Sequence, residues 1–168
     1  MNKPFLYLVV LVFLAGCGYK PATYYAKKEI TGLVYTNIDI NIDSTSNSLL
    51  LKDTMNEMVL TQLGAELTDD KEKADTIIDL KLSSVSHSAL TGDNKGYARS
   101  YRASVFIVAK YTKKAQATKS ISVSDYYDYS VASDATVSEQ TKAYAAKEAM
   151  KKALQELLSK LAVSSFKD

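Results

Sequence analysis

The sequence predicts one α+β domain in the order β-α-β-β-β-α, with two helices packed on one face of a four-stranded sheet. Three observations predict it. Residues 33–43, 76–89, 98–112 and 118–132 alternate apolar and polar side chains, the period of a strand with one dry face. Residues 49–67 and a segment from about 136 to 163 repeat apolar residues at steps of three and four, the period of a helix with one buried stripe. Polar, turn-rich stretches separate them, and no internal repeat or low-complexity tract interrupts the order.

The elements follow in turn. Strand 33–43 places Ile38, Ile40 and Ile42 on one face and Asp39, Asn41 and Asp43 on the other, and the polar run after it puts a helix start near Ser48. In the first helix Leu51, Met55, Met58, Val59, Leu63 and Leu67 share a side, and the charged stretch 69–75 ends it. The second strand carries Ile78, Leu80 and Leu82 in phase, then Val85 out of phase, which predicts a bulge near Ser84. The loop 91–96 joins it to a strand with Tyr101, Ala103, Val105, Ile107, Ala109 and Tyr111 on one face. After the polar turn 113–117, Ile121 and Val123 lead a last strand that ends in Tyr126, Tyr127 and Tyr129. Thr136-Val137-Ser138-Glu139 fits a capping box. The helix behind it carries Ala146, Met150, Ala153, Leu154, Leu157, Leu158 and Leu161 opposite Lys142, Lys147, Glu148 and Lys151.

Residues 1–16 belong to none of this. Lys3 and the terminal amine precede an unbroken apolar run at 5–14, and Ala15 and Gly16 are small, the order of a secretion signal. The run is about half of the roughly 20 residues that a membrane-spanning helix needs. Leu14-Ala15-Gly16-Cys17 resembles the bacterial lipobox. The resemblance implies cleavage before Cys17 and acylation of its thiol and new amine. Two or more acyl chains make a stable membrane anchor. Gly18 stands where an aspartate would signal inner-membrane retention, so the expected location is the outer membrane, facing the periplasm. Residues 17–32, with Pro21 and no sustained period, read as an acylated tether, and residues 33–168 as the single domain.

Composition narrows the function. The chain from Cys17 onward has 168 − 16 = 152 residues and, without Lys3, 20 basic against 19 acidic side chains, a balance that signals no nucleic-acid binding. Cys17 is the only cysteine, and His87 the only histidine, placed on a strand as an exposed or edge residue. No thiol is left for catalysis, a triad would rest on His87 alone, and no His/Cys cluster can hold a metal. Gly92 to Gly96 lacks the lysine-threonine pair of a phosphate loop and opens no helix. Asp69 with Asp70 caps a helix end, and Asp125 with Asp128 sits among tyrosines. The expectation is a non-enzymatic protein without cofactor. Lys95, Arg99, Arg102, Lys110, Lys113, Lys114 and Lys119 gather basic charge around the meander, beside an excess of tyrosine (12, against four Phe and no Trp). Cations for phosphate and rings for sugar or acyl surface would suit a phosphorylated amphiphile, against the plainer alternative of a solvated face with edge-protecting lysines.

Cys17-Gly18-Tyr19-Lys20-Pro21 after the lipobox, the strand at 33–43, Asn47-Ser48-Leu49-Leu50-Leu51-Lys52-Asp53, Ala74-Asp75 and the Ala-Lys-rich final helix together resemble the LptE family of lipopolysaccharide-assembly lipoproteins. The resemblance implies two helices on a four-stranded sheet, a place as plug inside the β-barrel partner LptD, and a role in delivering lipopolysaccharide to the outer leaflet. It carries over no specific ligand-binding position; Arg99, Arg102, Lys110, Lys113 and Lys114 are candidates from charge alone. Two other classes fit a small anchored α/β domain: LpoB-type activators of peptidoglycan synthesis, and accessory lipoproteins of a phospholipid transporter. The first is disfavoured by the short tether, about fifteen residues, which limits reach across the periplasm.

Overall fold

The computed structural model describes residues 22–40, 45–92, 98–114, 116–131 and 137–164, the side chains of residues 22, 91, 92, 98, 99 and 164 excepted. Its elements are α1 (Ala22–Glu29), β1 (Leu33–Asp39), α2 (Thr45–Met58) running on as a π-helical turn (Val59–Leu63), β2 (Glu66–Leu67), β3 (Thr76–Gly92), β4 (Ala98–Lys113), β5 (Lys119–Ser130) and α3 (Glu139–Ser164). The α+β class and the order of the expected elements stand. The sheet, however, has five strands, in the order β2-β1-β3-β4-β5, and the described helices number three rather than two.

The first addition is α1, in the segment expected to be tether. Eight residues are too few for a helix that is stable by itself, since isolated helices below about 12–15 residues are marginal. Docking holds it: Ala26 and Ile30 are buried in the main core. The Tyr111 hydroxyl donates to the Glu29 carbonyl at 2.8 Å, one of the end carbonyls a helix cannot pair internally. The second addition, β2, is two residues long and pairs parallel with Leu33 and Val34 of β1.

Strand β1 also runs parallel to β3, because the intervening α2 returns the chain to the same end of the sheet. β3, β4 and β5 form the expected antiparallel meander. The register of β3 shifts between Leu82 and Ser84, at the expected bulge. Strand β1 ends at Asp39, so Ile40 is exposed instead of sharing the buried face of Ile38, and Ile42 lies outside the described residues.

Val34, Ile38, Ile78, Leu80, Leu82, Val105, Ile107, Ala109, Tyr111 and Val123 face Leu51, Met55, Met58, Val59 and Leu63 of the α2 segment and the whole expected stripe of α3, in one core cluster. The helices therefore cover one side of the sheet. On the other side Asn37, Asp39, Lys81, Phe106, Lys110, Ser120, Ser122, Ser124 and Tyr126 are exposed.

Three local expectations change. α2 begins at Thr45, three residues before Ser48, and the Ser48 hydroxyl is buried without a hydrogen-bond partner. Its C-terminal extension stops at Gly64 (φ 63°), whose N–H donates to the Val59 carbonyl. α3 is capped by Ser138, whose Oγ accepts the Thr141 N–H at 3.1 Å; Thr136, the expected cap, lies outside the described residues.

Candidate functional site

The nominated basic residues spread along the full length of β4 and do not form one patch. Arg102 and Lys113 are 113 − 102 = 11 residues apart on one strand, which at about 3.3 Å per residue separates them by roughly 36 Å. Cys17 and Lys95 lie outside the described residues, as does the side chain of Arg99.

At the end of the sheet nearer α3's N-terminus, Arg102 makes a bidentate pair with Asp128, its directly opposed neighbour on β5. Nε donates to Oδ1 at 2.7 Å and Nη2 to Oδ2 at 2.8 Å. This hydrogen-bonded pairing pulls the Asp128 carboxyl below and pushes the Arg102 guanidinium above their ordinary values. The guanidinium also lies 3.7 Å from the centre of the Tyr126 ring. Asp128 thus takes two of the five arginine donors and pairs the guanidinium charge with its own. Next to this group, on the helix side of the sheet, Tyr129 stacks on Tyr101 with centroids 5.6 Å apart and its hydroxyl lies 3.1 Å from His87 Nδ1. Burial lowers the His87 pKa, with help from the Lys142 charge and against the opposing effect of Glu139.

The outer edge of β5 carries cations that the strand pattern alone does not nominate. Lys152 of α3 donates to the Tyr126 carbonyl at 3.2 Å and Lys160 to the Ser122 carbonyl at 2.9 Å. The two lysines are eight residues apart on a helix, about 12 Å, and the two carbonyls four residues apart on a strand, about 13 Å. The spacings match, so one helix face covers one strand edge.

Lys110 sits on the open face of the sheet, opposite Asp79 on β3 and Ser120 on β5. It lines a hollow of about 180 Å³ with Asn37, Asp39, Asp79 and Lys81. Asn37 donates to Asp79 at 3.0 Å and Lys81 approaches Asp39 at 3.6 Å, so acids and lysines there largely neutralise one another. Small-molecule pockets usually measure roughly 300 Å³ or more. This hollow is a groove in a polar sheet face.

At the far end of β4, Lys113 turns toward the helix side and its Nζ lies 3.5 Å from the Lys28 carbonyl of α1. Lys114 is exposed, with its backbone N–H donating to the Asp75 carbonyl at 2.9 Å. The fold thereby adds Lys27 and Lys28 to Lys113 and Lys114, a grouping hidden in sequence because the pairs are more than 80 positions apart. Among the described residues no cluster of His, Cys, Asp and Glu is arranged to hold a metal. No described helix is long and apolar enough to cross a membrane.

A family model described as LptE, lipopolysaccharide-assembly, matches residues 35–161, most of β1 through to the last turn of α3. The chain belongs to the LptE family. No curated protein sequence matches it. Among solved structures, the LptE-family chain is similar to a lipoprotein from Caulobacter crescentus at 11% identity and a TM-score of 0.53, covering 84% of this chain and 93% of that one. Rare lipoprotein B from Shewanella oneidensis (14% identity, TM-score 0.49, 79% and 97% covered) and lipoprotein B from Nitrosomonas europaea (16%, 0.49, 80% and 84%) are further neighbours. At such identities the Caulobacter likeness speaks to the fold alone. The family model is what assigns this chain to lipopolysaccharide assembly.

Proposed function

We propose that this LptE-family protein is a non-enzymatic, lipid-anchored component of the outer membrane that plugs and helps assemble an LptD-type β-barrel, and through it serves lipopolysaccharide transport to the outer leaflet. The family match over residues 35–161 carries the proposal. Two features support it. The open sheet face mixes exposed serines with Phe106 and Tyr126, a surface suited to contacts that are part apolar and part wet, as a polar barrel lumen would offer. The packed domain also begins at α1, only 22 − 17 = 5 residues after Cys17, so it stays close to the membrane that holds the acylated cysteine. That short reach further disfavours an LpoB-type activator. Direct lipopolysaccharide binding belongs to the same proposal, with Arg99 and Arg102 at one end and Lys110, Lys113 and Lys114 toward the other acting as separate contact points.

The test is purification of the tagged full-length lipoprotein from gently solubilised outer membranes, with mass identification of what accompanies it. A large β-barrel protein in stable complex is expected. Recovery of the lipoprotein without any barrel would overturn the plug reading.

A further inference from the structure

We infer that the α1 end of the domain is a membrane-docking surface, on which Lys27, Lys28, Lys113 and Lys114 meet anionic phospholipid headgroups of the leaflet holding the Cys17 anchor. The inference rests on the proposed acylation of Cys17 and adds a second, electrostatic contact to it.

Chain length supplies the first argument. Cys17 and Ala22 are 22 − 17 = 5 chain steps apart, and even fully extended these span no more than about 18 Å. Along α1 the step from Ala22 to Lys28 adds six residues, about 9 Å of helix. The lysines of α1 therefore lie within roughly 27 Å of the anchor, whatever path the intervening residues take. α1 is fastened to the sheet by Ala26, Ile30 and the Tyr111 to Glu29 hydrogen bond, so its position fixes which end of the domain stands nearest the lipid.

Charge distribution supplies the second. Lys27, Lys28 and Lys114 are exposed and Lys113 is half-buried, its ammonium beside the Lys28 carbonyl. Of the acids at this end Glu29 and Asp75 turn inward, and Glu66 of β2, paired with Leu33, is exposed. The Glu29 carboxylate lies 3.4 Å from the Tyr111 hydroxyl, and Asp75 Oδ2 accepts the Leu33 N–H at 3.0 Å. The adjoining loop sets Asp69, Asp70 and Glu72 against Lys71 and Lys73 and pairs Lys73 with Asp70 at 2.9 Å, so it is nearly self-compensated. Facing outward nearest the proposed anchor are Lys27, Lys28 and Lys114, with Lys113 half-buried behind them and Glu66 as the one exposed acid among the residues named at this end. Basic residues at an anionic bilayer strengthen attachment about five-fold each, and acyl chain plus basic patch is a two-signal arrangement for stable attachment, here of the α1 end alone.

The test uses the full acylated lipoprotein in phosphatidylcholine vesicles with and without phosphatidylglycerol. Each lysine is followed by its rate of modification with an amine-reactive reagent, resolved by peptide mass spectrometry. The four lysines should react at least about five-fold more slowly when phosphatidylglycerol is present, and high salt should abolish the protection. Lys147 and Lys151, on α3 away from this end, serve as internal controls and should not change. Equal rates in both vesicles, or protection shared by the controls, would overturn the inference. So would equal protection by inorganic phosphate in solution, which would mark a general anion site, or protection by lipopolysaccharide micelles but not by phosphatidylglycerol, which would leave Lys113 and Lys114 to the lipopolysaccharide contact proposed above. Intact mass separates the premise from the inference: a mature chain without acyl groups overturns the lipoprotein reading, whereas an acylated chain with unprotected lysines overturns the docking surface alone.

Discussion

Asp75 and Gly32 explain how single residues hold this fold together. Asp75 bonds the Leu33 N–H through its carboxylate, bonds the Leu33 carbonyl through its own N–H, and accepts the Lys114 N–H, joining the start of β1, the entry to β3 and the β4–β5 turn. Gly32 adopts φ +72°, a left-handed angle that favours glycine, and a Cβ there would press on the Asp75 carboxylate that accepts the Leu33 N–H. Ala74-Asp75 was legible as part of the family resemblance, but its bonding partners were not, because they come from positions around 33 and 114. His87 was legible as a strand residue near the surface; its contact with the Tyr129 hydroxyl was not. Burial and Lys142 keep this ring neutral below its ordinary value of 6.5. The unfolded chain therefore protonates first as pH falls. Stability should decline as pH drops below about 6.5 and level off once the folded-state ring also protonates. Because the ring is largely exposed, the loss is below about 1 kcal/mol. Thermal melts between pH 7.5 and 5.5 should show it in the native chain and not in His87→Gln; identical pH dependence in the two would reject the assignment.

At the scale of elements, α3 does two jobs. Its stripe of Ala146, Met150, Ala153, Leu154, Leu157, Leu158 and Leu161 fills the core, and its flank covers the β5 edge through Lys152 and Lys160. Exposed strand edges invite pairing with other chains, and lysine is a common guard against it. Lys152→Ala combined with Lys160→Ala should leave the core intact, with an unchanged circular dichroism spectrum, while sedimentation velocity reports more self-association than in the native chain. A double variant that sediments like the native protein would show the edge needs no such cover. The stripe and the meander were readable because buried faces impose periods of 3.6 and 2 on the sequence. α1 and β2 were not. Eight residues of mean polar character and a two-residue strand carry too little pattern, and both exist because neighbours already in place pair or bury them.

For the whole molecule, the decisive correction is the separation of the basic residues. Sequence gathered Arg99 to Lys114 on and around the meander and so suggested a single surface. A strand of sixteen residues is long, and its two ends belong to different neighbourhoods: a tyrosine and aspartate setting around Arg102, and the α1 lysines around Lys113. If both ends contact lipopolysaccharide, Arg102→Glu and Lys113→Glu should each weaken binding, and the double variant should add their free-energy effects within about 0.5 kcal/mol, as sites more than 7–10 Å apart do. Surface plasmon resonance at two salt concentrations measures this. Clear non-additivity would return the residues to one shared site.

The sequence by itself determined the α+β class, the order of the main strands and helices, the core stripe of α3 and the family resemblance. Each of these is written locally, as a periodicity or a short run of neighbouring residues. Only the tertiary structure decided that β1 joins the sheet in parallel, that residues 22–29 form a docked helix where a tether was expected, that Arg102 is already paired, and that Lys113 meets Lys28. Those facts depend on contacts between residues far apart in the chain, and packing rather than local preference brings them together.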